Sequence, residues 1–133
     1  MKLVVHVDGG ARGNPGPAAI GVVVSDAEGR LLEEIAETIG ETTNNVAEYR
    51  ALLRGLERAH ALGAEEVELV GDSELVAKQV TGQYKVKHAG LRPLHSEALH
   101  ALAGFPRWSV RTVPRAQNAG ADALVNAALD AAA

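Results

Sequence analysis

The order of apolar segments constrains the fold of this chain more than any other feature of the sequence. Three segments rich in β-branched and apolar residues, at 3–8, 19–24 and 31–39, follow one another with only turn residues between them. A short turn such as 26–29 joins antiparallel neighbours. The first forty residues therefore predict three consecutive antiparallel strands.

Helices and strands alternate in the remainder of the chain. Helical patterns are predicted at 44–62, 73–80, 94–103 and from Asn118 onward, and strands at 67–71 and 108–113. A helix between two strands provides the crossover that parallel pairing requires, so the later strands are expected to be parallel. The sequence predicts a single α/β domain, because 133 residues are too few for two ordinary domains.

The composition excludes several classes of protein. The chain has no cysteine, which excludes disulfides, thiolate nucleophiles and zinc–thiolate sites. No apolar run approaches the roughly 20 residues of a membrane span. The N-terminal segment becomes acidic too early, at Asp8, to be a secretory signal. We therefore expect a cytoplasmic protein without a membrane partner.

Four carboxylates occupy positions that favour a shared site. Asp8 ends the first strand, Asp72 follows the strand at 67–71, and Glu48 and Asp122 lie on the core-side stripes of two helix starts. Each has an ordinary structural alternative: a turn acid, an N-cap, a capping box with Asn45, and an acid at a helix N-terminus, respectively. Ligands bind at the carboxyl ends of parallel strands, so the four are expected to converge at one sheet edge.

Four converging carboxylates indicate divalent cations, because like charges within a few ångströms raise one another's pKa. Magnesium prefers oxygen ligands, which suits a chain without cysteine. Two such ions roughly 3.5–4 Å apart activate water on one side of a phosphodiester and stabilise the leaving oxygen on the other. The formal net charge of −4 does not argue against a nucleic-acid substrate, since counting these four acids as a metal site leaves the rest of the chain neutral.

Four stretches of the sequence resemble the ribonuclease H type I family, in the order of that family. They are Asp8-Gly9-Gly10 with Gly13-Asn14-Pro15-Gly16-Pro17, Thr42 to Glu48, Gly71-Asp72-Ser73, and Asn118 to Leu124. The resemblance implies a five-stranded mixed sheet in the order 3-2-1-4-5, flanked by helices. It also implies an endonuclease that cuts the RNA strand of RNA/DNA hybrids to 5′-phosphate and 3′-hydroxyl ends. Asp8, Glu48, Asp72 and Asp122 would hold two Mg²⁺ ions, with Mn²⁺ as a substitute.

The same resemblance suggests residues that recognise the hybrid. Backbone groups of Gly9 and Gly10, with Arg12 and Asn14, are expected to meet the 2′-hydroxyls of the RNA strand across the minor groove. These four residues would distinguish RNA from DNA.

A helix N-terminus supplies the second group of predicted contacts. Thr43, Asn44 and Asn45 are expected to engage sugar, phosphate or base edges, while helix capping by the two asparagines stays open as an alternative. Arg115 and Asn118 complete the predicted substrate-binding set, and Asn118 is also the predicted N-cap of the last helix.

Two departures from the family pattern point to a compact prokaryotic branch. Residues 82–93 are short and only modestly basic where many bacterial relatives carry a basic protrusion, and Arg115 lies in a loop where those relatives have a catalytic histidine. Arginine cannot act as a general base near neutrality. Some members of this branch also cut double-stranded RNA, and some are fused to a phosphatase-like domain. Residues 1–133 are thus expected to form one ribonuclease H domain, a monomer, with a longer chain and a fused C-terminal domain left open.

Three other functions compete with this interpretation. A non-cleaving module that binds hybrid or double-stranded RNA would be expected to lack one of the four carboxylates, and all four are present. Another nuclease or strand transferase of the same fold usually differs at the glycine-rich turn. A nucleotide-binding domain or small-molecule phosphatase has no support, because the sequence has no P-loop.

Overall fold

The structure of the chain is a computed structural model that describes all 133 residues. Its strands are β1 (Lys2–Ala11), β2 (Gly16–Asp26), β3 (Leu31–Thr42), β4 (Glu66–Gly71) and β5 (Arg107–Thr112). Its helices are α1 (Asn44–Ala61), α2 (Glu74–Val80), α3 (Arg92–Ala103) and α4 (Ala119–Ala132), and a 3-10 helix, η1, spans Arg115–Asn118. The predicted order of elements is confirmed.

The five strands form one mixed sheet in the order β3-β2-β1-β4-β5, as predicted. β2 pairs antiparallel with both β1 and β3, whereas β4 pairs parallel with both β1 and β5. The tight turn between β2 and β3 requires the antiparallel arrangement, and the helical crossovers permit the parallel one. The carboxyl ends of β1 and β4 therefore lie side by side.

Helices cover the two faces of the sheet unequally. Leu3 and Val5 of β1 pack with Leu52 and Leu56 of α1 in a large core that also takes in residues of α2 and α3. On the opposite face α4 packs across β1, β2 and β3, with a smaller buried cluster around Val125. Functional side chains from α1 and α4 can thus approach the same strand end from opposite faces.

The first strand is longer than predicted. The sequence places a strand end before Gly9 and Gly10, but β1 continues through both glycines to Ala11. Gly9 pairs with Ile20 and Gly10 with Ala19, so the ladder with β2 supports the glycines in extended conformation. Tertiary pairing overrides the usual turn preference of a glycine pair.

The start of α1 also differs from the prediction. Neither Asn44 nor Asn45 is the N-cap; Thr43 is, and its Oγ1 accepts from the Val46 N–H at 3.3 Å. The capping box between Asn45 and Glu48 is therefore wrong, and Glu48 is free for another partner. No helix of the structure is both long enough and apolar enough to span a membrane.

Candidate active site

Three of the four predicted carboxylates meet at the carboxyl ends of β1 and β4. Asp8, Glu48 and Asp72 each place a carboxylate oxygen within 4.8 Å of the other two. Asp122, on the first turn of α4, lies outside this group of three but lines the same cleft, which has a volume of about 590 Å³. The structure thus brings all four residues to one edge of the sheet.

A glycine on one face of β1 admits Glu48. A Cβ atom built on Gly9 would lie 2.6 Å from the Glu48 backbone nitrogen and closer still to the Ala47 carbonyl, so only glycine lets α1 approach this closely. The Gly9 N–H donates to Glu48 Oε1 at 2.8 Å. One residue therefore provides both the space for the Glu48 segment and a hydrogen bond that orients its carboxylate.

A second glycine admits α4 from the opposite face. Gly21 of β2 pairs directly with Asp8. A Cβ on Gly21 would lie 3.0 Å from Leu124 Cβ and closer still to the Ala121 carbonyl. The missing side chain therefore allows the first turn of α4, which carries Asp122, to lie against the sheet beside Asp8.

The carboxylates perturb one another strongly. Burial raises the pKa of Asp8 to about 7, and the charges of Asp72 and Asp122 act in the same direction against a hydrogen bond with Glu48. Burial and the neighbouring Asp8 raise the pKa of Glu48 well above its ordinary value, although the Gly9 N–H opposes the shift. Burial of the metal-free pair therefore favours its protonated forms, and a divalent cation would favour its fully ionised form.

Arg115 neutralises part of this charge from the rim. Its guanidinium Nη2 lies 3.1 Å from Asp122 Oδ1, and this contact raises the pKa of the already basic Arg115. The arginine side chain is largely exposed. Asn126, one turn after Asp122 on α4, donates from Nδ2 to the Asp122 carbonyl at 3.1 Å. Asp122 is thus held by contacts on the rim, whereas Glu48 is held by the Gly9 N–H inside the site.

The sequence and the fold of this chain are similar to those of known proteins. A family model described as reverse transcriptase-like matches residues 6–128. Ribonuclease HI of Halobacterium salinarum is 49% identical over 129 residues, which are 97% of this chain and 65% of the relative. The crystal structure of RNase H1 from that archaeon has a TM-score of 0.95 at 47% identity, and the match covers 98% of both chains. The chain belongs to the ribonuclease H type I family.

Two further relatives, one of them a longer protein and one solved with a nucleic acid, are similar to this ribonuclease H domain. The N-terminal RNase H domain of a Mycobacterium tuberculosis protein matches with a TM-score of 0.94 at 47% identity, over 96% of this chain and 98% of that one. The complete mycobacterial protein is named bifunctional, is 49% identical, and is covered over 37% of its length. The chain spans about a third of the length of the mycobacterial relative and about two thirds of the length of the Halobacterium relative. A ribonuclease H1 solved in complex with an RNA/DNA hybrid matches with a TM-score of 0.93 at 47% identity, over 98% of both chains.

The predicted substrate-binding residues of this ribonuclease H domain fall into two groups. Those that line the cleft with the carboxylates are Gly9, Gly10, Arg12, Asn44 and Arg115, and those that do not are Asn14, Thr43, Asn45 and Asn118. The cleft is also lined by Ser73 and Asn126, which the sequence analysis did not include as site residues. Asn126 lies four residues after Asp122, and that helical spacing is a signal that could have found it.

Asn14 and Asn44 connect the β1–β2 loop to α1. The Asn14 Oδ1 accepts from the Asn44 N–H at 3.0 Å, and the Asn44 Oδ1 accepts from the Ala11 N–H at 2.8 Å. Neither asparagine caps α1 in the usual way. Together they hold the loop that carries Arg12 against the helix N-terminus, so one rim of the cleft is pre-assembled.

Asn118 is the N-cap residue of α4, as predicted, but its side chain is directed elsewhere. Its side chain is 1% exposed and donates from Nδ2 to the Val7 carbonyl at 2.9 Å. It precedes α4 but makes no capping hydrogen bond with its side chain. The predicted side-chain cap is therefore wrong, because the amide is turned inward to β1, and the buried side chain has little surface for the predicted substrate contact.

Proposed function

We propose that this ribonuclease H domain is a metal-dependent endonuclease that cuts the RNA strand of RNA/DNA hybrids, leaving 5′-phosphate and 3′-hydroxyl ends. The observation that carries the proposal is the convergence of Asp8, Glu48 and Asp72 within 4.8 Å, with Asp122 in the same cleft. The relative that was solved with an RNA/DNA hybrid supports this choice of substrate.

The residues present fit a site for divalent cations. The donors are all carboxylate oxygens, which hard ions such as Mg²⁺ prefer, and Mn²⁺ is the expected substitute. Asp8, Glu48, Asp72 and Asp122 would hold two ions when the substrate is bound. These ions would supply charge neutralisation, activation of a water molecule and stabilisation of the leaving oxygen.

The protein residues hold this set in place before substrate arrives. Gly9 orients Glu48 through its N–H, while Asp8 is 7% exposed and is held in β1 by its pairing with Gly21. Arg115 pairs with Asp122 and is exposed enough to exchange that carboxylate for a phosphate oxygen. It would bind and orient the phosphate without accepting a proton.

Recognition of the hybrid is assigned to the rim of the cleft. Arg12 and Asn44 line it, and the backbone of Gly10 faces it. Thr43 and Asn45 flank Asn44 at the start of α1. The Asn44 N–H already donates to Asn14, whereas the Asn45 N–H has no such partner and is suited to phosphate. Cleavage of double-stranded RNA, a monomeric state, a cytoplasmic location and a fused C-terminal domain stay predictions.

The test is cleavage of strand-labelled RNA/DNA hybrid, duplex RNA and duplex DNA with Mg²⁺ or Mn²⁺. The variant Asp72→Asn should lose more than about 100-fold in rate, because even residues that only support metal ligands contribute 10–100-fold. Glu34→Gln, the same chemical change at an exposed position on β3, is the matched control and should keep full activity.

Three outcomes separate the competing functions. Metal-dependent cutting of the RNA strand that Asp72→Asn removes supports the proposal. Hybrid binding without cutting under either metal would favour a binding module. Cutting of duplex DNA in preference to the hybrid would indicate another nuclease of the same fold.

A further inference from the structure

Asn118 connects two chain segments that are remote in sequence, in the protein interior next to the cleft. It ends η1 and directly precedes α4, and its hydrogen bond to Val7 joins residues 111 positions apart. Because the side chain is 1% exposed, it offers almost no surface to a nucleic acid. Its contribution must be made inside the protein.

The Val7 carbonyl lies where the ladder between β1 and β4 has ended. These strands pair from Lys2–Glu66 to His6–Val70 and no further. Alternate residues of a central strand direct their backbone groups to opposite neighbours, and the Met1 carbonyl already accepts from β4, so Val7 points to the same side. Asn118 supplies the donor that the next β4 residue would have provided, and a buried carbonyl requires one.

This one hydrogen bond links the two chain segments that carry Asp8 and Asp122. Val7 directly precedes Asp8, and Asn118 lies four residues before Asp122, about one helical turn. The bond also continues the hydrogen bonding of β1 past the last β1–β4 pair, His6–Val70. Asp72 follows the end of β4 at the same level. Val113, which follows β5, donates its N–H to the Gly71 carbonyl at the end of β4 at 2.9 Å.

The amide of Asn118 is used in one direction only. Its Oδ1 is buried and has no hydrogen-bond partner. An asparagine before a helix ordinarily uses that oxygen to cap the first turn, and here it does not. The side chain is thus oriented for donation to the end of β1 and away from the helix that it precedes.

We propose that Asn118 is a positioning residue that fixes the spacing between Asp8 and Asp122 and does not touch the nucleic acid. The inference rests on the proposed function in taking these carboxylates as metal ligands. It does not depend on which nucleic acid is the substrate.

The first measurement is the rise in melting temperature of the full chain with increasing Mn²⁺ or Mg²⁺, without nucleic acid. Asn118→Ala removes the donor, and Asn118→Ser keeps a shorter one. Tyr49→Phe is the control, because it also removes a buried hydrogen bond, the 2.6 Å bond to Gln79 Oε1, but away from the cleft. The metal concentration for the half-maximal shift should rise about 10–100-fold in Asn118→Ala, less in Asn118→Ser and less than about twofold in the control.

The second measurement separates positioning from substrate contact. With RNA/DNA hybrid at saturating metal, Asn118→Ala should lower kcat and leave KM within about threefold. An unchanged metal midpoint in both Asn118 variants, or a KM raised tenfold at unchanged kcat, overturns the proposal. A wild-type protein without any metal-induced shift also overturns it, whereas a shift without cleavage contradicts only the proposed nuclease function.

Discussion

Replacement of Gly9 by alanine tests the close approach of β1 and α1 that brings Glu48 to Asp8. The new Cβ would lie 2.6 Å from the Glu48 nitrogen, where ordinary contacts begin at 3.4 Å. The nearest atoms belong to the α1 backbone, so no side chain can rotate away. α1 and β1 must therefore separate by about 0.8 Å or more.

The free-energy cost follows from that displacement. Overpacking against rigid structure typically costs about 1–3 kcal/mol. A separation of this size also lengthens the 2.8 Å bond from Gly9 to Glu48 beyond useful range, and a hydrogen bond to a charged group is worth about 1.5–3 kcal/mol. We expect Gly9→Ala to lower the free energy of unfolding by about 2.5–6 kcal/mol, the sum of the two contributions.

Gly10→Ala is the matched control. A Cβ on Gly10 would face the other side of the sheet, 3.7 Å from Val125 Cγ1, which is an ordinary contact. Alanine restricts the unfolded chain more than glycine does, so this variant should be about 0.4–1 kcal/mol more stable than the natural protein. The two alanine variants, at adjacent positions, should thus differ by about 3 kcal/mol or more.

Urea unfolding followed by far-UV circular dichroism measures both variants. With an m-value of about 2 kcal/mol/M, the midpoint of Gly9→Ala should fall by about 1–3 M at unchanged slope. A midpoint for Gly9→Ala equal to that of Gly10→Ala would refute the reasoning, since it would mean that α1 yields without cost.

Two further predictions concern charge. Asp8 has its pKa raised to about 7, mainly by burial, so the folded protein binds its proton more tightly than the unfolded chain does. The metal-free protein should therefore lose stability as pH rises from about 4 to about 7; melting temperatures in a chelator should show this loss, and Asp8→Asn should flatten it. If both proteins have parallel pH profiles, the raised pKa is wrong. Arg12 Nη2 pairs with Asp130 Oδ1 at 2.6 Å on the cleft rim, and both side chains are largely exposed. Asp130→Asn should change the free energy of unfolding by less than about 0.5 kcal/mol. It should also tighten hybrid binding a few-fold at low salt, measured by fluorescence anisotropy, because Arg12 is then free for phosphate. Weaker binding would instead mean that Asp130 holds Arg12 in its binding orientation.

Local sequence patterns failed where tertiary contacts decided the outcome. Gly9 and Gly10 are typical turn residues, yet pairing with β2 keeps them in β1. Glu48 has the spacing of a capping-box residue with Asn45, yet it is directed to Gly9, 39 positions away. Asn118 has the residue type and position of an N-cap, yet its amide serves Val7. In each case a partner distant in sequence outcompetes a local one.

The sequence by itself determined the order of strands and helices, the parallel and antiparallel pairings, and which four carboxylates share an edge of the sheet. These follow from hydrophobic periodicity and from the chain connectivity, which are local properties. Only the tertiary structure decided how closely the carboxylates approach, that burial raises the pKa values of Asp8 and Glu48, and that Asn118 is buried. Those properties depend on burial and on which helix can approach a given strand, and at Gly9 and Gly21 the approach is set by the absence of one Cβ atom between two backbones.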